Sequence, residues 1–428
     1  MLYAIAKVIM WTTLHFYFRR IMFVGKRNIP DGEPVILIAN HSASFLDAML
    51  LAVLMRRPLY FFARSDIFRK DWANRILRSF HMIPIYNIEH GKSNLVRNEE
   101  TFGEGEQVLS DKGLLLIFPE GTSRIERIML PLKKGTARVA LQTESRKDFK
   151  LGLSVIPVGI NYSAHRFRAD VHLEVGKATR VDEYENVYRD NPARAITLLT
   201  RELETKFAET IIFVKQPERT TLINRLLELF RNDNPHHPGD PAEVPMMVLE
   251  KKVCDTVSGL TDEEASGLSD TLKRYDELLI RSGVRDRSVN GRYHLAVLHF
   301  LLLTVTFPFF IVGALFSSIP LFFGKWVADR SVTRIDFYTS VITAAGGFSW
   351  VIWWVLHLVI AAFIGNPWYR IIVITAPITL FMGIYWWEAF YSFASHLRYL
   401  WLKRTDREMV LELAALRSRL RIWQKRQP

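Results

Sequence analysis

The sequence predicts an α/β domain with a mixed, partly parallel sheet, framed by an N-terminal membrane-associated helix and a C-terminal helical transmembrane region. Three observations predict it. Between Lys26 and Lys215, short apolar runs alternate with longer amphipathic ones. After Arg292 come three stretches without Asp, Glu, Lys or Arg: Tyr293–Gly324, Phe337–Tyr369 and Ile371–Trp387. Before the alternating region, Met1–Val24 is apolar except for Lys7 and the Arg19-Arg20 pair.

Taken in chain order, Met1–Val24 lacks the early positive charge and small-residue cleavage site of a secretory signal. It is interrupted too soon for a full span, so it reads as a helix in the bilayer interface with Trp11, Phe16 and Phe18 among its anchors. The bland reading is a helix covering a soluble core. Val35–Ala39, Leu59–Phe62, Ile83–Tyr86, Leu114–Phe118, Val155–Ile160 and Val171–Val175 read as buried strands. Phe45–Leu54, Asp71–Phe80, Leu95–Leu109, Gly135–Thr143 and Ala193–Glu209 read as the helices between them. Such layered folds collect ligands where strands end and helices begin.

Asn232–Pro245, rich in Pro and turn residues, reads as a linker within a polar helical region. Its His236-His237 pair lacks a second ligand cluster, so no metal site is expected. The uncharged runs are long enough to cross a hydrocarbon core, which takes about 20 helical residues. The positive-inside rule favours a bent re-entrant segment over Leu295–Phe323, around Pro308, followed by one hairpin turning at Asn366-Pro367. Three full spans are the alternative. Tyr385, Trp386, Trp387 and Tyr391 around Glu388 read as an interfacial aromatic belt, and the chain beyond Arg404 as a basic surface helix. The expected domains are residues 1–25, 26–215, 216–292, 293–396 and 397–428.

Composition narrows the function. The chain has 428 residues, 49% of them apolar, with 56 Lys+Arg against 44 Asp+Glu and a net charge of +12. That apolar content excludes a disordered chain, and with no zinc or RNA-binding signature no nucleic acid is expected as a partner. The single cysteine, Cys254, excludes a disulfide framework and reads as a buried small residue. Residues 1–27 and 397–428 supply +5 and +6 of the total charge. Basic ends beside apolar segments suit an anionic lipid surface, which makes the bilayer the expected partner.

Two loops carry the chemistry. Asn40-His41-Ser42-Ala43-Ser44-Phe45-Leu46-Asp47 follows one predicted strand, and Phe118-Pro119-Glu120-Gly121-Thr122-Ser123-Arg124 follows another. Six helical steps of about 100° do not align His41 with Asp47 on one face. His41 is therefore expected in the loop and Asp47 in the first turns of the next helix, where the carboxylate can accept Nδ1–H and leave Nε2 free as a base. Either motif alone more often marks a satisfied structural group; their joint occurrence after strands is the stronger signal.

Over roughly Arg27–Glu209 the sequence resembles the glycerolipid acyltransferases of the PlsC type. The resemblance rests on His41 with Asp47, Phe118–Arg124, Pro131–Gly135 and Val155-Ile156-Pro157-Val158. It implies that His41 is the general base and Asp47 its orienter. It also implies that Glu120, Gly121, Thr122 and Arg124 contact a glycerol-phosphate acceptor, with Lys134 a further substrate-binding candidate. Two features depart from the family pattern. Five residues separate His41 from Asp47 where four are usual, a spacing similar to the branch that acylates glycerol 3-phosphate or dihydroxyacetone phosphate. The arginine that often follows the third strand is replaced by Tyr86-Asn87-Ile88, so Arg124, Lys133, Lys134, Arg64 or Arg97 would have to meet the phosphate.

The resemblance implies a membrane-bound acyltransferase of phospholipid biosynthesis, on the cytoplasmic face, using acyl-CoA or acyl carrier protein as donor substrate and no cofactor. Glycerol 3-phosphate is the expected acceptor. The alternatives are 1-acylglycerol 3-phosphate (lysophosphatidate) as acceptor, a thioesterase, or a non-catalytic lipid-binding membrane scaffold.

Overall fold

The computed structural model describes residues 2–86, 93–234, 246–289 and 296–425. The chain divides into two compact units, Met1–Phe213 with Ala328–Ala344, and Val214–Val327 with Ala345–Pro428.

The first unit begins with helix α1 (Leu2–Tyr17), then strands and helices β1 (Arg20–Val24), β2 (Val35–Ala39), α2 (Phe45–Leu54), β3 (Leu59–Arg64), α3 (Asp71–Ser79), β4 (Met82–Ile85), α4 (Ser93–Ser110) and β5 (Leu114–Ile117). It continues through α5 (Gly135–Arg146), β6 (Ser154–Tyr162), β7 (Asp170–Val175), β8 (Thr179–Arg180), α6 (Glu185–Asp190) and α7 (Pro192–Thr210). The sheet order is β1-β7-β6-β2-β5-β3-β4, with β8 also paired to β6. Pairing is parallel except where β6 meets β7 and β8, so the sheet is mixed, as expected.

Every residue of β2 and β6 is buried. That explains their unbroken apolar runs, because both sheet faces are covered. Val35, Leu37 and Ala39 pack into one core with α1 and α2, whereas Ile36 and Ile38 pack into the other with α5 and α7. Gly159 on β6 lets the end of α7 approach: a Cβ there would lie 1.8 Å from the Thr210 carbonyl oxygen.

The N-terminal stretch is not one helix. α1 stops at Tyr17, and Arg20–Val24 forms β1, parallel to β7 in the register Arg20↔Asp170. The Arg19-Arg20 pair that interrupts the apolar run binds Asp170, at 2.6 Å and 3.0 Å. Strand pairing plus a shared carboxylate outweighs helix continuation here. Met10, Leu14 and Tyr17 bury one face of α1, while Leu2, Ile5, Val8 and Trp11 form an exposed apolar stripe at three-residue spacing. That stripe suits an interfacial helix.

The second unit is helical: α8 (Thr220–Asp233), α9 (Met246–Gly259), α10 (Asp262–Ser282), α11 (Asp286–Val289), α12 (Ala296–Ser331), α13 (Ile335–Phe363), α14 (Pro367–Thr405) and α15 (Arg407–Lys425). The end of α12 and the start of α13 belong to the first unit. Cys254 is buried on α9. The His236-His237 pair and most of the expected linker lie outside the described residues.

Three helices, Leu298–Ser331, Ile335–Phe363 and Pro367–Thr405, are long and apolar enough to cross a membrane. The expected bend at Pro308 is replaced by a continuous α12 that contains both Pro308 and Pro320. Neighbouring helices supply the polar contacts that make proline tolerable in such a setting. Trp350 Nε1 donates to Ser317 Oγ at 2.9 Å, Trp353 Nε1 to the Phe316 carbonyl at 3.0 Å, and Trp386 Nε1 to the Leu303 carbonyl at 2.8 Å. Trp386 thus packs between helices, stacked on Phe310. The turn falls where expected: Asn366 accepts from the Trp368 and Tyr369 amides, and Arg370 Nε caps the Ala361 carbonyl.

The last helix is more than a basic surface element. Val410, Leu413 and Leu420 are buried, and α15 packs on α10. Arg417, 4% exposed, binds Asp286 at 2.7 Å and Asp233 at 3.0 Å, and Tyr275 donates to Asp286 at 2.7 Å.

Candidate active site

β2 and β5 are parallel neighbours, with Ile38 opposite Ile117, so the chain leaves both strands at the same edge of the sheet. This register brings the two motif loops together. Asn40 fixes the first exit by a reciprocal pair of bonds to β6: Nδ2 donates to the Ile160 carbonyl at 2.9 Å, and Oδ1 accepts from the Ile160 amide at 2.7 Å.

His41 sits in the loop and Asp47 in the first turn of α2, as expected. Their side chains meet: Nδ1 lies 3.0 Å from Asp47 Oδ2. Between the two residues Ser44 adopts φ 49°, a conformation uncommon outside glycine. The same Oδ2 accepts the Ala43 amide at 2.9 Å, and Oδ1 accepts the Tyr162 hydroxyl at 2.7 Å. Asp47 is fully buried, so these three donors replace water around a carboxylate that burial would otherwise penalise. Burial, reinforced by the Asp47 charge, pushes the Tyr162 hydroxyl well above its ordinary range, which keeps it a donor. The His41 ring stacks on Phe118, centroids 3.8 Å apart at 16°.

The second loop is tied to the first. The Arg124 amide donates to the His41 carbonyl at 2.9 Å, and Ser123 Oγ accepts the Ser44 amide at 3.3 Å. Gly121 has φ +69°, a backbone conformation that favours glycine, and Lys133 Nζ lies 2.5 Å from where a Cβ would stand. Thr122 and Arg124 are exposed at the loop surface, available to a ligand. Glu120 is 7% exposed and accepts the Leu130 amide at 3.4 Å. Burial pushes its carboxyl up to about 7, against the opposing pull of that amide, His41 and Arg124.

Not every candidate reaches this place. Lys134 Nζ bonds Thr197 Oγ1 on α7 at 3.1 Å, whereas Lys133 lies against Gly121. Arg64 pairs with Asp66 at 2.8 Å and is largely exposed. Asn87 and the Arg97 side chain lie outside the described residues. Of the cations expected to meet the phosphate, Arg124 and Lys133 are the ones found at the Glu120–Arg124 loop.

One cavity joins His41, Glu120 and Arg124 to Arg127, Tyr162 and His165. The last three are not legible from the motifs. Tyr162 is the final residue of β6, Arg127 bonds the Tyr162 carbonyl, and burial followed by the Arg127 charge pushes His165 down to about 4. His165 is thus a neutral imidazole on the wall. Among the described residues, no group of three or more His, Cys, Asp or Glu could hold a metal ion. The amides of Ala43, Ser44 and Leu46 at the start of α2 are occupied by Asp47, Ser123 and Ser340, so those donors are not free for an oxyanion.

Residues 20–161, which contain both loops, match the family model described as Acyltransferase. The matched segment is about a third of the chain. Within and around it the chain is 34% identical over 110 residues to glycerol-3-phosphate O-acyltransferase 2 of Saccharomyces cerevisiae, covering 25% of this chain and 15% of the relative. It is 22% identical to an uncharacterized acyltransferase of Schizosaccharomyces pombe, covering 65% of this chain and 54% of that one. It is 28% identical over 148 residues to a 1-acyl-sn-glycerol-3-phosphate acyltransferase of Chlamydomonas reinhardtii, covering 34% of this chain and 40% of that protein. The matches thus span 15%, 54% and 40% of the lengths of these three relatives. All three relatives are named as acyltransferases, and the His41–Asp47 pair and the Glu120–Arg124 loop lie within the segment that matches the family model.

Proposed function

We propose that the protein transfers a fatty acyl group from an acyl thioester, acyl-CoA or acyl carrier protein, to a hydroxyl of glycerol 3-phosphate. One observation carries the reading: His41 is paired to buried Asp47 through Nδ1 while its backbone carbonyl accepts the Arg124 amide, which fixes the base beside the Glu120–Arg124 loop. A hydroxyl is a poor nucleophile, and Nε2 of a neutral His41 takes its proton as the oxygen attacks the thioester carbon. Asp47 steadies the imidazolium that forms. Collapse of the tetrahedral intermediate breaks the carbon–sulfur bond, and the imidazolium returns its proton to the departing thiolate. The products are an ester and a free thiol, with no covalent acyl-enzyme. Arg124 and Lys133 hold the acceptor's phosphate, and this positioning brings the hydroxyl to His41.

The acceptor reading draws on the yeast relative's name and on the five-residue spacing. A second reading, acylation of 1-acylglycerol 3-phosphate, draws on the algal relative's name. Three helices long and apolar enough to cross a membrane support a membrane setting, and a cytoplasmic position for the domain that carries His41 is part of the proposal.

Full-length protein in detergent, given labelled acyl-CoA or acyl carrier protein with glycerol 3-phosphate, lysophosphatidate or no acceptor, tests both. Ester formation on glycerol 3-phosphate is expected, with His41→Ala slower by about 10²–10⁴-fold. Faster turnover of lysophosphatidate favours the second reading. Thioester hydrolysis indifferent to acceptor, or undiminished activity of His41→Ala, contradicts the proposal.

A further inference from the structure

The catalytic loop has a third wall, contributed by residues almost 300 positions downstream. Ser340, wholly buried, donates from Oγ to the Ala43 carbonyl at 2.5 Å and accepts the Leu46 amide at 3.2 Å. Asp336, 6% exposed, accepts the Ser44 hydroxyl at 3.2 Å. Arg334 holds Asp336 through two bonds, Nη2 to Oδ2 at 2.8 Å and Nε to Oδ1 at 3.1 Å, and Nη2 also reaches the Ser123 carbonyl at 3.4 Å. These residues lie at the start of α13, an apolar helix that continues to Phe363. The same stretch is docked on the first unit: Ile342 and Ala344 pack against its core, and the Tyr17 hydroxyl faces Thr339 and Thr343.

The bonds fall at the place where the loop is hardest to hold. Between His41 and Asp47 the chain passes through Ser44 at φ 49°. Such a conformation is strained and persists only where its surroundings over-determine it. Ala43, Ser44 and Leu46 are the residues that Ser340 and Asp336 grip. Without those partners the buried Ser44 hydroxyl would lose its bond to Asp336, and the Ala43 carbonyl and Leu46 amide would keep only their mutual bond of 3.1 Å at the turn that sets the Nδ1–Asp47 distance.

We propose that Ser340 and Asp336 are positioning residues for the His41–Asp47 pair, so that the start of α13 is part of the active-site structure rather than only a membrane attachment. The inference deepens the acyltransferase reading and rests on it for its kinetic consequence, but its structural consequence can be measured without turnover.

The test uses full-length protein in detergent carrying Ser340→Ala, Ser340→Thr or Asp336→Asn, with two readouts. In acyl transfer, Ser340→Ala and Asp336→Asn are expected to lower kcat about ten- to a hundredfold with KM for acceptor and donor within about twofold, because loss of alignment acts on the reacting atoms more than on binding. Ser340→Thr, which keeps the hydroxyl, should recover most of kcat. In amide hydrogen exchange, peptides covering 43–48 should exchange several-fold faster in Ser340→Ala, while those covering 35–39 and 114–117 keep their protection. Unchanged exchange at 43–48 overturns the proposal whether or not the protein turns over. Faster exchange throughout the domain also overturns it, since the residues would then support the fold at large. A wild type inactive on every acceptor would contradict the acyltransferase reading, and the exchange result would still decide this one.

Discussion

Asp47 Oδ1 and Glu120 are the two buried carboxyl sites on which single residues decide the chemistry. Tyr162→Phe removes the donor to Oδ1 without changing the ring. A buried carboxylate oxygen left unpaired costs roughly 1–3 kcal/mol, so kcat/KM should fall about tenfold or more, read by steady-state kinetics. Glu120 makes an opposite prediction for stability. Its carboxyl is raised to about 7 in the folded protein by burial. The folded state therefore holds a proton that the unfolded chain releases near pH 4.5. Stability from this site is full below about pH 4.5, declines as pH rises through 7, and stays lost above it. Glu120→Gln should raise the melting temperature at pH 8 and leave it nearly unchanged at pH 4.5, the gain at high pH being about 2 kcal/mol once partial solvent screening is allowed for. Acyl transfer should fall in the same variant, because the group proposed to contact the acceptor has changed. An equal melting shift at both pH values would contradict the burial account.

His41, Asp47 and the Glu-Gly-Thr turn were legible because their spacing is local. Tyr162, Arg127, His165 and Ser340 were not, because only the sheet order and the docking of α13 bring them to the site. At the scale of elements the same distinction holds. β2, β5 and β6 announce themselves as continuous apolar runs, since both sheet faces are covered. β1 does not, because Arg20–Val24 follows an apolar helix without a turn signal and its partner, β7, lies 150 residues away. Asp170 decides the matter. Burial opposes its ionisation, yet the Arg19 and Arg20 guanidiniums outweigh burial and hold its carboxyl below the ordinary value. The stabilisation is present above about pH 3.8 and is lost as pH falls through the lowered folded value. Asp170→Asn should loosen β1 at neutral pH, seen as faster amide exchange over 20–24 with protection at 35–39 retained. Arg417 makes the corresponding prediction for α15. Replacing it with Met leaves buried Asp286 without its cation, while Asp233 keeps Arg421, a loss of about 3–5 kcal/mol measurable by thermal or denaturant unfolding.

For the molecule as a whole, the positive charge is less free than its position along the chain implies. Arg19 and Arg20 serve Asp170, Lys7 and Lys26 donate to the Met55 and Leu54 carbonyls at the end of α2, and Arg417 and Arg421 bind Asp233. Four of the five basic residues in 1–27 thus make intramolecular contacts, which weakens lipid adhesion as the explanation of that end's charge, and Arg417 and Arg421 are likewise held among the nine in 397–428. Attachment then rests on the apolar helices. A wash in about 1 M salt, where the Debye length is near 3 Å, should leave the protein in the membrane fraction. Release into the wash would contradict that attachment.

The central claim is that the His41–Asp47 pair deprotonates a glycerol-phosphate hydroxyl for attack on an acyl thioester. Its most direct test is the pH dependence of acyl transfer to labelled glycerol 3-phosphate by the wild type and Asp47→Asn, full-length in detergent. The account predicts a wild-type rate that rises with the deprotonation of one group. It predicts a rate lower by about 10²–10⁴-fold in Asp47→Asn, at unchanged acceptor KM. An Asp47→Asn enzyme as fast as the wild type, with the same pH profile, would contradict it.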